Sequence, residues 1–183
     1  MTTTDPGSYL ELDDGRPAVR FERIYDHPIE RVWALVTEPA ELAHWFPSPE
    51  VTIELRPGGL LTFAGDPHLP EARTTGRVLE LDPPRLLAFS WLGDELRFEL
   101  EPLDGRRTRF ALTNVLEARN TAARNAAGWH VCLLALDARV AGRPTAGPHA
   151  DDQPVGWAEL YDEYVTAGTP SGAPIPGSDG TNG

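Results

Sequence analysis

Hydrophobic positions along the chain follow two different periods, and the switches between them mark out its elements. Residues 1–16 are polar, rich in Gly and Asp, and read as a flexible lead-in. Val19, Phe21 and Ile24 begin a strand with Arg20 and Glu22 on its other face, while Arg23 breaks strict alternation. Pro28 suits the first turn of a helix, and Glu30 favours the positive end of its dipole. Val32, Leu35 and Val36 recur at helical spacing. Pro39 interrupts them, Leu42, Trp45 and Phe46 supply a second short helix, and Pro47 and Pro49 close it.

From residue 50 to 116 the period becomes two. Val51, Ile53 and Leu55 share a face, Arg56-Pro57-Gly58-Gly59 reads as a turn, and Leu61 and Phe63 follow. Gly76 to Asp82 forms the next strand, with a corner at Asp82-Pro83-Pro84-Arg85. Leu87, Phe89 and Trp91 alternate with Ala88 and Ser90, and Gly93-Asp94 is short enough to close a hairpin. Leu96, Phe98 and Leu100 alternate next, Asp104-Gly105 signals another hairpin, and Phe110, Leu112 and Asn114 complete the run. Six strands joined by tight turns after two helices imply an antiparallel meander.

Helical spacing then returns. Asn120 or Thr121 is placed to cap a long helix carrying Trp129, Cys132, Leu133, Leu136 and Val140, and Gly142 with Pro144 ends it. Residues 143–154 read as a loop. A last helix presents Trp157, Leu160, Tyr161, Tyr164 and Val165, a stripe that must be covered by the domain body or by a second subunit, which leaves room for a homodimer. Residues 169–183 have no apolar period and read as a disordered tail, so one domain is expected over 17–168.

Composition narrows the function. The 183 residues carry 28 acidic and 16 basic side chains, a formal net charge of −12, and every basic one is Arg. So acidic a chain disfavours nucleic acid and anionic lipid as partners. Without Lys, no Schiff-base mechanism and no P-loop phosphate contact is available. No segment is long and apolar enough to span a membrane, and the N-terminus lacks the basic start and apolar run of a signal peptide, so a cytoplasmic location is the expectation. The one cysteine, Cys132, sits among apolar helical neighbours and reads as a buried structural thiol. No metal-binding motif appears: Asp151-Asp152 near His149 read as loop acids preceding a helix, and neither a metal nor another cofactor is expected.

Four features occur in a recognisable order: Val32-Trp33 on the first helix, Trp45-Phe46 ending the second, Val78-Leu79-Glu80-Leu81-Asp82-Pro83-Pro84-Arg85 leading into Phe89-Ser90-Trp91, and Gly128-Trp129 in the long helix. Together they resemble the activator-of-heat-shock-protein-ATPase-like branch of the START-like (SRPBCC, polyketide cyclase-like) superfamily, over roughly residues 17–167. The resemblance implies an α+β helix-grip fold: a curved antiparallel sheet wrapped around a long C-terminal helix, two short helices after the first strand, and an apolar cavity between sheet and helix. The loop at 143–154 and the extra terminal helix depart from the common pattern; that loop is placed to cover the cavity mouth.

On that architecture the expected ligand-binding, cavity-lining residues are Trp45, Phe46, Phe63, Phe89, Trp91, Phe98, Phe110, Trp129, Leu133 and Leu136. Each is equally suited to filling a core, aromatics being the largest burying groups. Gly128 reads as the point where the helix backbone approaches the sheet closely. No catalytic residue is assigned. His44 and His130 are the histidines in helical segments, with His130 off the apolar stripe and facing outward or flanking it. The leading reading is a non-enzymatic binder of a hydrophobic small molecule. A cyclase or aromatase-like enzyme would need His44, Arg77 or Asn114 inside the cavity. A third reading, a module modulating a chaperone ATPase, would need a docking patch outside it.

Overall fold

The computed structural model describes residues 5–68, 71–150 and 154–175. Eight strands form one antiparallel sheet in the order β1-β2-β8-β7-β6-β5-β4-β3. They are β1 (Ser8–Glu11), β2 (Pro17–Tyr25), β3 (Glu50–Ile53), β4 (Leu60–Ala64), β5 (Thr74–Asp82), β6 (Leu86–Trp91), β7 (Asp94–Pro102) and β8 (Thr108–Val115). Helices α1 (Ile29–Thr37) and α2 (Pro39–Leu42) lie between β2 and β3; α3 (Ala122–Val140) and α4 (Trp157–Thr166) follow β8. A curved sheet closed over one long helix is the helix-grip fold that the sequence implies.

The meander follows from turn chemistry. Gly58 has φ +71°, and a Cβ on Gly59 would lie 1.9 Å from the Glu54 carbonyl oxygen, so only glycine fits that corner. The β6–β7 hairpin turns at Leu92-Gly93, one residue earlier than the expected Gly93-Asp94, with φ +51° and +89°. Register then stacks the apolar face. Val19 pairs with Asn114, Asn114 with Leu96, Leu96 with Phe89 and Phe89 with Val78, so one row crosses five strands facing α3. Beside it, Phe21, Leu112, Phe98 and Leu87 make a second.

Four sequence expectations change. The lead-in expected to be flexible contains β1, which pairs Ser8–Glu11 with Pro17–Arg20. Its strand pattern is too short to stand out among polar neighbours, and Tyr9 packs on the core to secure it. On β2 it is Arg23, not Ile24, that points inward: Arg23 is 1% exposed and Ile24 41%. Strict alternation was the correct rule, and the cation hid it. No side chain caps α3. Its Ala123 N–H donates to the Pro170 carbonyl at 2.9 Å instead, because the segment after α4 returns to the start of α3. In that segment Ala173 N–H donates to the Asn120 carbonyl and Arg124 Nη1 to the Pro174 carbonyl. Residues 169–175, expected to be part of a loose tail, are thus tied to the domain; residues 176–183 lie outside the described residues, as do Asp151 and Asp152.

The terminal helix packs on the domain body. Leu160 and Tyr164 are buried against α3, whereas Val165 faces solvent at 39% exposure because the covered stripe is narrower than the sequence suggests. With the sheet on one side and α4 on the other, α3 is buried nearly all round, and His130 is 9% exposed rather than outward-facing. Among the described residues no helix is long and apolar enough to cross a membrane.

Candidate functional site

The ten expected site residues do come together. Trp45 leaves the turn after α2 and donates its indole N–H to the Leu35 carbonyl of α1 at 2.9 Å, which fixes the ring under the helix pair. Phe46 follows at the centre of the cluster, with ring centroids 5.6 Å from Phe63, Trp91 and Trp129 and 6.4 Å from Phe89. Phe89 meets Phe98 at 5.4 Å, Phe98 meets Phe110 at 5.8 Å, and Trp91 meets Trp129 at 5.2 Å. Leu133 and Leu136 complete the same core from α3. Edge-to-face and tilted contacts at such spacings add about 0.5–1.5 kcal/mol per pair to the area buried.

Nine of the ten are 2% exposed or less; Trp91 alone keeps partial exposure. The rings lie in mutual contact. Two concavities of about 720 and 550 Å³ lie elsewhere, one on the outer face of α4 and one between the N-terminal segment and α4. Gly128 faces α4 rather than the sheet: a Cβ there would meet the Trp157 indole at an ordinary 3.9 Å, so no close approach to the sheet requires it.

At the Trp91 end a polar network closes the cluster. Trp129 Nε1 donates to Asn114 Oδ1 at 3.1 Å, and Asn125 donates to the same oxygen at 3.0 Å. Asp94 accepts from Asn114 and Asn125 on one oxygen and from the Glu117 N–H on the other. Burial raises the Asp94 carboxyl above its ordinary range against the opposing pull of these donors. Trp91 Nε1, by contrast, is buried with no acceptor among the described residues, an arrangement that costs about 1–3 kcal/mol.

A second polar group lies farther along α3. Arg23 donates from Nε to Asp137 Oδ2 at 3.2 Å and from Nη1 to the carbonyls of Asp5 and Glu22, while Nη2 has no partner among the described residues. Tyr25 donates to the other Asp137 oxygen at 2.8 Å. Burial pushes the Asp137 carboxyl upward, and Arg23 and Tyr25 oppose it. Nearby, Gly7 N–H donates to Tyr164 Oη at 2.8 Å, and the hydroxyl in turn meets His130 Nδ1 at 2.9 Å. Burial, then the Arg23 charge, lowers His130 to about 4, and burial raises Tyr164 to about 12. Gly7 is required here, since a Cβ would fall 2.4 Å from the Phe21 ring.

The residues that an enzyme reading would need do not converge. Asn114 is buried in the Trp129 network, while Arg77 binds the Gly58 carbonyl on the exposed face of β5. His44 lies half-buried in the turn after α2. The thiol of Cys132 is buried on α3 and pushed well above its ordinary range by burial. Among the described residues no group of three or more His, Cys, Asp or Glu could hold a metal ion. Loop residue His149 donates to the Pro47 carbonyl at 2.7 Å, with His68 against its ring at 5.1 Å, so this loop lies over the segment that follows Trp45-Phe46.

Residues 26–141 match the family model described as activator of Hsp90 ATPase homolog 1-like protein, more than half of the chain, from α1 to the end of α3, with β1, β2 and α4 outside the match. The chain belongs to that family. It is an AHSA-type member of the START-like superfamily, and solved structures share its fold. A conserved protein of unknown function from Enterococcus faecalis is 22% identical with a TM-score of 0.70, covering 89% of this chain and 90% of that one. CalU16 from Micromonospora echinospora is 22% identical with a TM-score of 0.64, covering 88% and 92%. A Bordetella parapertussis protein is 24% identical with a TM-score of 0.62, covering both chains fully. No curated protein matches the chain.

Proposed function

We propose that this AHSA-type domain binds an apolar, planar small molecule between the inner face of its sheet and α3, and that it acts as a binder rather than a catalyst. The observation that carries the reading is the ring cluster with its single partly exposed member: eight aromatic side chains converge on one face of the grip, and Trp91 brings that cluster to solvent. A ligand enters at Trp91 by parting it from Phe46 and Trp129, exchanging ring–ring contacts for ring–ligand contacts of the same kind. Binding without catalysis is supported by the buried ionisable groups. Asp94 pairs with asparagines and a backbone amide, Asp137 with Arg23 and Tyr25, and His130 with Tyr164, which leaves each engaged with protein.

Titration of the protein with a library of planar apolar compounds should give saturable quenching of tryptophan emission. Trp129→Phe should retain the fold and lose much of the signal. Absence of saturable quenching by any compound, or quenching undiminished in Trp129→Phe, would remove the site from this face. Conversion of a bound compound into product would replace the binder by the cyclase reading.

A further inference from the structure

Three tryptophans belong to the ring cluster, and their indole N–H groups are treated differently. Trp45 has the Leu35 carbonyl and Trp129 has Asn114 Oδ1, whereas Trp91 Nε1 is buried without an acceptor among the described residues. The polar atoms at that end are already committed. Asn114 Oδ1 takes two donors, one Asp94 oxygen takes both asparagine amides, and the other takes the Glu117 N–H. What surrounds the Trp91 ring is apolar: Phe46 at 5.6 Å, Phe63 at 6.5 Å and Trp129 at 5.2 Å. Its backbone is held in place at the end of β6, opposite Asp94 and directly before the tight Leu92-Gly93 turn. A phenylalanine at this position would supply the same apolar surface without a donor needing a partner.

We infer that Trp91 is the orienting donor of the ligand site, and that the ligand is a planar aromatic bearing a carbonyl-type oxygen that accepts its indole N–H. The inference rests on the binding reading above and narrows it from apolar ligands in general to aromatic ketones, quinones and their like. One donor in a wall of rings fixes which edge of a flat molecule enters last. It also discriminates strongly, because a ligand lacking the acceptor leaves the buried N–H unpaired in the complex.

Fluorene and 9-fluorenone share one tricyclic frame and differ in a methylene against a carbonyl. The hydrocarbon is the more hydrophobic, so a preference for the ketone can only come from the acceptor. Calorimetric titration should show 9-fluorenone binding about tenfold more tightly than fluorene, the worth of one buried hydrogen bond. In Trp91→Phe the preference for the ketone should vanish, with fluorene binding at least as tightly as 9-fluorenone. In the wild-type protein, independently of any variant, the Trp91 indole 15N–1H resonance should move with 9-fluorenone and stay with fluorene. If both compounds bind equally, or the preference survives Trp91→Phe with the indole resonance unmoved, the orienting role is wrong while the binding reading stands. If neither compound binds while another planar compound of the library does, this inference falls and the binding reading stands; if no compound of the library binds, both fall.

Discussion

Arg23 and Asp137 form an ion pair inside the grip, Nε to Oδ2 at 3.2 Å, with side chains 0% and 8% exposed. It joins the C-terminal end of β2 to the C-terminal half of α3, where an apolar contact would have served packing as well. Replacing Asp137 with Leu strands the Arg23 charge in the interior and should lower stability by about 3–5 kcal/mol in urea unfolding. The double variant Arg23→Met/Asp137→Leu should recover most of that loss, because the desolvation of both charges disappears together. A double variant as unstable as the single one would mean that the pair contributes more than mutual neutralisation.

His130 gives stability a dependence on pH. In the folded protein burial and Arg23 hold it at about 4, below its ordinary 6.5, so the unfolded chain takes up the proton first. This contribution is fully present above pH 6.5 and is lost as the pH falls towards 4, amounting to about 3 kcal/mol across that window. Protonation also makes Nδ1 a donor towards the Tyr164 hydroxyl, whichever tautomer the neutral ring adopts. His130→Gln should flatten the acid side of the stability profile between those limits. Parallel profiles for wild type and variant would show that other groups set the slope.

The α4 contact is tested at Leu160, which is 2% exposed. Leu160→Asp buries a carboxylate with no partner against α3 and should cost several kcal/mol, on the order of 3–5. Thermal unfolding checks it. A variant as stable as wild type would mean that α4 detaches freely.

The return segment can be tested by truncation. A chain ending after Thr169 loses the Pro170 acceptor for Ala123 N–H and the contacts of Ala173 and Pro174 with Asn120 and Arg124. Against a chain ending after Ile175, it should be less stable by about 1–2 kcal/mol, a cap-sized loss. Equal melting temperatures would make the segment a passive extension.

What the sequence revealed divides along physical lines. The period-two run from Val51 to Asn114 and the Trp129–Leu133–Leu136 stripe each report burial against a single large face, so both were legible. The aromatic convergence was legible for the same reason, since the rings occupy inward positions on strands whose order a meander dictates. Arg23 was not, because a cation at an inward position contradicts the pattern used to find inward positions, and its justification, Asp137, lies 114 residues away. His130 was misplaced because helical periodicity finds one covered face, and α3 has two. The α3 cap was missed for a related reason: its acceptor is a backbone carbonyl, and every residue type carries one.

The Gly7–Tyr164 hydrogen bond spans 157 residues, and the first pairings of β2 with β8 span 97 at Ala18 and Val115. On a chain emerging from the ribosome, the hairpins from β3 to β8 have their partners within reach as soon as they appear. The β2 strand, by contrast, waits with Arg23 uncompensated until α3 has been made, and Gly7 waits longer for Tyr164 of α4. Closing such long loops is slow, so the grip is expected to assemble from its middle outward, with the Gly7–Tyr164 contact forming last. For most of synthesis the inner face of the meander therefore lies open, and a nascent chain in that state is where this protein would most need protection from aggregation.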